Sequence, residues 1–288
     1  MGQEYCVART VEEAVSLLRE KRGRVIAGGT DLMLDLRKGK KHSEMLVDIT
    51  GIPELAGVSM EADHIRVGAC CTFAQLERDP VVTRYLPALA AGASRVGSPQ
   101  IRNVATVGGN VVNAMPAADT AVALVGLGAQ VETAGIGGGR IRPIEACYER
   151  IGHSAVDPEK ELITAFRIPL PAGRDFRNGY RRFSLRESLS LPVVVAAVSM
   201  VLDGNVAESA RIVLAPAGSA PWHAETAETL LRGQVITPQL AAEAAELAAE
   251  KAPFRDSPVR CSAAYKRLVA QTMVEELLLA LPEGTDGR

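Results

Sequence analysis

The tightest constraint on this chain is a pair of glycine dipeptides, each set among small and hydroxylated residues. Ala27-Gly28-Gly29-Thr30-Asp31 follows the short apolar run Arg24-Val25-Ile26 and leads into a stretch carrying Leu32, Leu34 and Leu36. Thr106-Val107-Gly108-Gly109-Asn110 repeats the scheme: hydroxyl, apolar residue, two glycines, amide. A strand that opens into a helix through glycines points successive backbone N–H groups at one place, and the missing Cβ atoms let an anion come close to them. Neither turn fits the phosphate loop G-x-x-x-x-G-K-[ST] or the dinucleotide fingerprint G-x-G-x-x-G. No lysine follows either pair directly, so the fitting ligand is a diphosphate held within a cofactor rather than one being transferred. A lone Gly-Gly is most often an ordinary tight turn; two pairs in matching company put the cradle level with that bland reading.

Composition narrows the field. The 288 residues make two domains the expectation. Hydrophobic residues at 47% and charged ones at 23% are ordinary for a globular protein, so disordered and disulfide-stapled chains are excluded. Thirty-two basic against 34 acidic side chains argue against a nucleic-acid or anionic-membrane binder. Cys6, Cys70, Cys71, Cys147 and Cys261 form no C-x-x-C and no Cys/His pair at metal-ligand spacing. An iron–sulfur or zinc site built by this chain alone is therefore not expected, and the thiols read as buried or incidental in a reducing compartment. The N-terminus lacks the regions of a signal peptide, and the longest apolar run, Leu191 to Val201, is too short to span a membrane. Cytoplasmic localisation is the expectation. His42, His64, His153 and His223 are scattered without partners at useful spacing, and no Ser/His/Asp or Cys/His nucleophile set is visible. The 37–41 basic run reads as a solvated face, and Trp222 as a packing residue.

Patterning predicts a helix over Val11 to Lys21 capped by Thr10, then strands over 24–27 and 45–49, giving a small α/β unit over residues 1–55. A strand over 64–68, helices after Thr72 and over 86–93, a strand over 129–133, a glycine hairpin turn over 135–139 and a strand over 161–168 fill a second subdomain, 56–172. Pro169 to Gly173 is the best linker. Beyond it, strands over 193–202 and 206–214 flank the turn Asp203-Gly204-Asn205, and helices run over 238–251 and 262–281. The expected class is α+β, with a C-terminal domain over 176–288 made of a sheet and helices.

Several segments carry a family resemblance. Ala27 to Leu32, followed by Arg37-Lys38-Gly39, looks like the first flavin-diphosphate loop of the FAD-binding subunits of molybdenum hydroxylases, the group that includes the medium chains of xanthine dehydrogenase and aerobic carbon monoxide dehydrogenase. Ser98-Pro99-Gln100-Ile101-Arg102-Asn103, through Thr106 to Asn110 and on to Pro116-Ala117-Ala118-Asp119, resembles the second loop nearly residue for residue. Val47-Asp48-Ile49, Ile52-Pro53-Glu54-Leu55, Arg140 to Pro143, Glu161-Leu162-Ile163 with Ile168-Pro169, and Ser262 to Arg267 extend the likeness in order along nearly the whole chain.

The resemblance implies a two-subdomain FAD-binding domain of the vanillyl-alcohol-oxidase (PCMH) type followed by a smaller α+β domain. Noncovalent FAD would lie in a cleft, its diphosphate embraced by Val25, Ile26, Ala27, Gly28, Gly29, Thr30, Asp31 and Leu32 on one side and by Thr106, Val107, Gly108, Gly109 and Asn110 on the other. Asp119 matches the family acid that hydrogen-bonds the cofactor, and Ile163 a backbone contact near the adenine or the ring. Arg182 stands where many relatives carry a lysine near the flavin, and a cation there would stabilise a reduced anionic ring. Molybdopterin and [2Fe–2S] clusters would belong to a large and a small partner chain, and electrons would leave to NAD or another acceptor. Met115, in place of a small or hydroxyl residue, would reshape the pocket edge, and Ser190 and Pro192 depart from the family pattern. Absence of an extra cysteine cluster disfavours the branch with a fourth iron–sulfur centre. Two alternatives stay open: a free-standing oxidase of the same fold, and a scaffold that has lost its cofactor.

Overall fold

The computed structural model describes residues 4–21, 23–186 and 189–283. The N-terminal unit is a three-stranded parallel sheet in the order β1-β3-β2, built from β1 (Glu4–Val7), β2 (Arg24–Ile26) and β3 (Met45–Asp48). The helix α1 (Val11–Lys21) covers it and α2 (Leu32–Arg37) leaves from β2. Thr10 caps α1 by accepting from the Glu13 N–H at 3.1 Å, while the Glu13 carboxylate accepts from Arg9 N–H at 2.7 Å. Gly23 follows the helix for a packing reason: a Cβ there would meet the Met45 and Val47 side chains at 2.7 Å. The edge strand β1 escapes sequence patterning because four half-exposed residues leave no alternation to detect.

The second unit is an antiparallel sheet of β4 (Val58–Met60), β5 (His64–Gly68), β6 (Gln130–Gly135), β7 (Arg140–Pro143) and β10 (Glu161–Pro169), in the order β4-β5-β10-β6-β7. Between β5 and β6 lie six helices: α3 (Phe73–Leu76), α4 (Pro80–Tyr85), α5 (Pro87–Ser94), α6 (Pro99–Arg102), α7 (Val107–Val112) and α8 (Asp119–Gly126). A small hairpin, β8 (Tyr148–Arg150) with β9 (His153–Ser154), precedes β10. Every residue of α8 is buried.

That burial is explained by the last third of the chain. Strands β11 (Asp175–Phe183), β12 (Val194–Asp203), β13 (Val206–Ala215) and β14 (Trp222–His223) form an antiparallel sheet, with β15 (Gln234–Val235) pairing to β13. Helices α9 (Glu225–Leu231), α10 (Pro238–Lys251) and α11 (Ala263–Glu283) pack on one face. Tyr180, Val195, Ala197, Val213 and Ala215 on the other face join the core around α5 and α8. A strand covered on both sides needs apolar residues at every position, which is why β12 reads Val-Val-Ala-Ala-Val-Ser-Met-Val-Leu. Helix and strand touch closely: a Cβ on Gly126 would lie 2.8 Å from the Ala197 Cβ, and the Ser199 hydroxyl donates to Gly126 O at 2.7 Å.

Strand β11 is absent from the sequence expectation, because its charged residues mask its alternation. Its buried Asn178 accepts from Ala88 N–H at 3.0 Å and donates to Tyr85 O at 2.9 Å, satisfying the backbone where α4 breaks into α5.

Candidate cofactor site

The two glycine turns come from different units, one after β2 and the other at the start of α7, and meet. Gly28 lies against the backbone just before the second turn; a Cβ on it would fall 2.2 Å from Val104 O. A cleft of about 610 Å³ opens between the turns, walled on one side by Val25 to Leu32 and on the other by Thr106, Gly108, Gly109 and Asn110. Ile163 lines the same cleft at a register break in the pairing of β10 with β6, where an irregular strand redirects a side chain.

The first turn behaves as a nest. Gly29 has φ +68, the left-handed value that brings consecutive N–H groups round to one side. Among the described residues, the N–H groups of Gly28, Gly29, Thr30, Asp31 and Leu32 donate to no protein acceptor. Five adjacent unsatisfied donors on a cavity wall constitute an acceptor-binding surface.

The second turn differs from the expected nest, and the correction has a clear cause. It is the first turn of α7, with Thr106 as N-cap, and its donors are already used. Val107 N–H donates to Cys71 O at 3.0 Å, Gly108 N–H to Ala69 O at 2.9 Å, and Gly109 N–H to the Thr106 hydroxyl at 3.2 Å. Val107 is fully buried in the core and does not line the cleft. Gly108 is needed for packing, since a Cβ would stand 2.9 Å from Ala69 O, whereas on Gly109 it would meet only the Thr106 hydroxyl at 3.1 Å. Gly109 thus keeps the cleft open. The Thr106 hydroxyl proton and the Asn110 amide N–H2 remain as donors, the Asn110 oxygen being held by Thr120 at 2.8 Å.

Asp119 and Arg182 do not stand on the cleft wall; they hold each other. Asp119 Oδ1 accepts from Arg182 Nε at 2.8 Å and from Tyr180 Oη at 2.5 Å. The remaining guanidinium donors go to the Ser184 hydroxyl and to Ser190 O. Arg182, with a side chain 6% exposed, is consumed by these partners and is not a free cation facing a ring. Burial pushes the Asp119 carboxyl up despite Tyr180 and Arg182, which pull it down. Met115 is exposed and does not border the cleft.

The cleft's charges lie at Arg24, paired with Glu159 at 2.6 Å, Lys41, paired with Asp35 at 3.2 Å, and Glu161, paired with Arg142 at 2.8 Å. Asp31 is raised by burial and by Asp35, with Lys41 opposing. Among the described residues, His153 is the one imidazole on the wall and no cysteine borders it. Burial pushes Cys70 up to about 12 and Cys71 and Cys147 to about 11, which disfavours the reactive thiolate.

A second grouping was invisible in sequence. His223 Nε2 lies 3.0 Å from Glu145 Oε1 and Nδ1 3.3 Å from Glu228 Oε1, with Arg211 Nη1 also 3.0 Å from Glu145. Glu145 lies 66 residues from Arg211 and 78 from His223, so spacing carried no signal. Among the described residues no cluster of His, Cys, Asp or Glu is arranged to hold a metal, and no helix is long and apolar enough to cross a membrane.

Comparison with known proteins places the chain in a family. Residues 1–171 match the FAD-binding domain in molybdopterin dehydrogenase, and residues 180–281 the carbon monoxide dehydrogenase flavoprotein C-terminal domain. The chain is 28% identical over 276 residues to the xanthine dehydrogenase FAD-binding subunit of Escherichia coli O157:H7, covering 95% of this chain and 94% of that one. It is 30% identical over 275 residues to the carbon monoxide dehydrogenase medium chain of Afipia carboxidovorans, covering 94% and 93%. Among solved structures, reconstituted CO dehydrogenase from Oligotropha carboxidovorans superposes with TM-score 0.88 at 27% identity, covering 98% of both chains. Quinoline 2-oxidoreductase from Pseudomonas putida 86 does so with TM-score 0.87 at 26% identity, covering 99% of this chain and 98% of that one. A cleft floored by free backbone donors, within this architecture and these matches, makes the chain a member of the FAD-binding subunit family of the xanthine and carbon monoxide dehydrogenase type.

Proposed function

We propose that this chain is the electron-transfer flavoprotein subunit of a molybdenum hydroxylase complex in the cytoplasm. It takes electrons from [2Fe–2S] clusters on a small partner chain, which receives them from a molybdopterin large chain, and passes them to NAD or another acceptor. The FAD unit is residues 1–172, in subdomains of about 1–55 and 56–172, and the C-terminal unit is 176–288. The observation that carries this reading is the run of unpartnered N–H groups from Gly28 to Leu32 facing the second turn across a cleft of dinucleotide size.

The residues present fit noncovalent FAD. Bound there, FAD supplies a two-electron carrier that exchanges electrons one or two at a time. The N–H groups of Gly28 to Leu32 hold the diphosphate oxygens, Lys41 lies on the same wall, and Thr106 and Asn110 donate from the facing side. Gly109 leaves room for the chain of the cofactor, and Val25, Ile163 and their apolar neighbours exclude water from its flanks. Asp119 and Arg182 act at one remove: Asp119 begins α8, and the next residue, Thr120, fixes the Asn110 amide.

The test is purification of the complex from its source. Expected are co-purifying molybdopterin and [2Fe–2S] chains, and reduction of the bound flavin by NADH in stopped flow if NAD is the acceptor. Substrate oxidation by this chain alone, with flavin attached to the precipitated polypeptide, would sink the proposal in favour of a free-standing oxidase.

A further inference from the structure

Helix α2 is apolar and unburied. Its sequence, Leu32-Met33-Leu34-Asp35-Leu36-Arg37, carries four large apolar side chains, and no residue of it is buried. None of the four joins any of the three hydrophobic cores, and Leu34 is 49% exposed. Large apolar side chains gathered on one short surface helix mark a contact still to be made. A molecule in the cleft makes only part of it. Leu32 and Leu34 line the cleft, but Met33 and Leu36 stand outside its walls. So does Val104, 51% exposed, whose backbone meets Gly28, while Ile101, 38% exposed and bonded to Val104 through the backbone, lines the cleft. Apolar surface therefore continues beyond the cleft on both of its rims.

The basic run that follows is folded onto the end of this helix. Lys38 N–H donates to Leu34 O at 3.1 Å, Gly39 N–H to Leu36 O at 3.0 Å and Lys40 N–H to Asp35 O at 2.9 Å, with Gly39 at φ +67 turning the chain. Lys41 pairs with Asp35, whereas Arg37, Lys38 and Lys40 are exposed and, among the described residues, pair with no acid. The chain as a whole carries net charge −2, so free cations gathered on one turn are a local arrangement. An apolar centre with a charged rim is the anatomy of a protein interface, and its complement is an apolar face ringed by carboxylates. An anionic membrane fits less well, because the helix has six residues and carries Asp31 at its start and Asp35 at its middle. We infer that α2 and the Arg37 to Lys40 turn form the docking surface for the [2Fe–2S] partner chain, which meets them with an acidic rim around an apolar centre. Leu32 and Leu34 belong both to this helix and to the cleft wall, so a chain seated here stands beside the cofactor to which it delivers electrons. This rests on the function proposed above.

The experiment measures binding of the [2Fe–2S] chain, released from the purified complex, to the full FAD-loaded chain over a salt series. Two variants probe the surface: Arg37→Glu combined with Lys40→Glu, and Leu36→Lys. Reversing the two cations is expected to slow association about tenfold at low salt and to flatten its salt dependence. Leu36→Lys puts a charge into the apolar centre and is expected to speed dissociation about tenfold. A control pair, Arg19→Glu with Lys251→Glu, makes the same net change at exposed positions of α1 and α10 and is expected to bind like the unmutated chain. All three should keep one FAD per chain. Unchanged binding in both surface variants would overturn the inference, and so would an equal loss in the control. Loss of FAD along with the partner from the charge-reversed variant would assign the turn to the cofactor instead. Phosphatidylserine vesicles that bind the unmutated chain but not the charge-reversed one, while the [2Fe–2S] chain binds both equally, would assign it to a membrane. A [2Fe–2S] chain that fails to bind even the unmutated chain would defeat the proposed function itself, and the docking surface with it.

Discussion

Four glycines that look alike in sequence carry different loads. Gly28 and Gly108 permit backbone contact with Val104 and Ala69, Gly29 supplies a positive φ, and Gly109 alone guards open space. Substitutions should therefore separate. Gly28→Ala puts a methyl into a carbonyl at 2.2 Å and is expected to cost about 1–3 kcal/mol of stability, lowering the urea midpoint. Gly109→Asp is expected to leave the midpoint nearly unchanged while abolishing FAD binding, because its carboxylate would enter the cleft beside the diphosphate. Normal flavin occupancy in Gly109→Asp would refute the placement of the cofactor. The first turn was legible as a nest because its chemistry is local, whereas the second was not, because Cys71 and Ala69, which take its N–H groups, arrive from elsewhere. Which glycine keeps the cleft open was not legible, since it depends on Ala69 and Val104 arriving from elsewhere in the fold.

Elements with local signals were readable and those set by tertiary packing were not. Helix α10 runs from Pro238 to Lys251 as its Thr237-Pro238 start implies, and β10 ends at Pro169 as expected. Strand β11 went unread because Arg177, Arg181 and Arg182 interrupt its apolar face, and its register is set by β12 and its buried Asn178. Asn178→Leu should leave Ala88 N–H and Tyr85 O unsatisfied and cost about 1–3 kcal/mol, read as a lowered urea midpoint. The His223 cluster joins the segment after β7 to β13, β14 and α9, and yields a pH signature. Burial, the largest influence, and Arg211 push the imidazole down, but its hydrogen bonds to the accepting carboxylates of Glu145 and Glu228 outweigh them and raise it from 6.5 to about 9. A raised folded-state pKa stabilises most below the unfolded value, so this contribution is complete below about pH 6.5 and lost as pH rises through 9. Stability should fall across that window by up to about 3 kcal/mol. The loss should be absent in His223→Gln; an equal loss in that variant would place its cause elsewhere.

Across the whole molecule, the cleft exists because the N-terminal sheet and the helices of the second unit bring the two glycine turns together, and the C-terminal sheet braces the helices behind them. Tyr180 and Arg182 of β11 reach across to Asp119 at the start of α8, and Thr120, next along, fixes Asn110 on the cleft wall. The last third of the chain thus supports the second turn without lining the cleft among the described residues. Long-range bracing of this kind leaves no periodic trace, whereas the resemblance of the turns to a flavin family already indicated the ligand. The claim that these turns exist to hold a dissociable FAD is tested most directly by saturating the purified chain with FAD, removing excess, and precipitating it with acid. One equivalent of FAD per chain released into the supernatant is the expected result. A chain that takes up no flavin, or that carries it down with the polypeptide, would contradict the account.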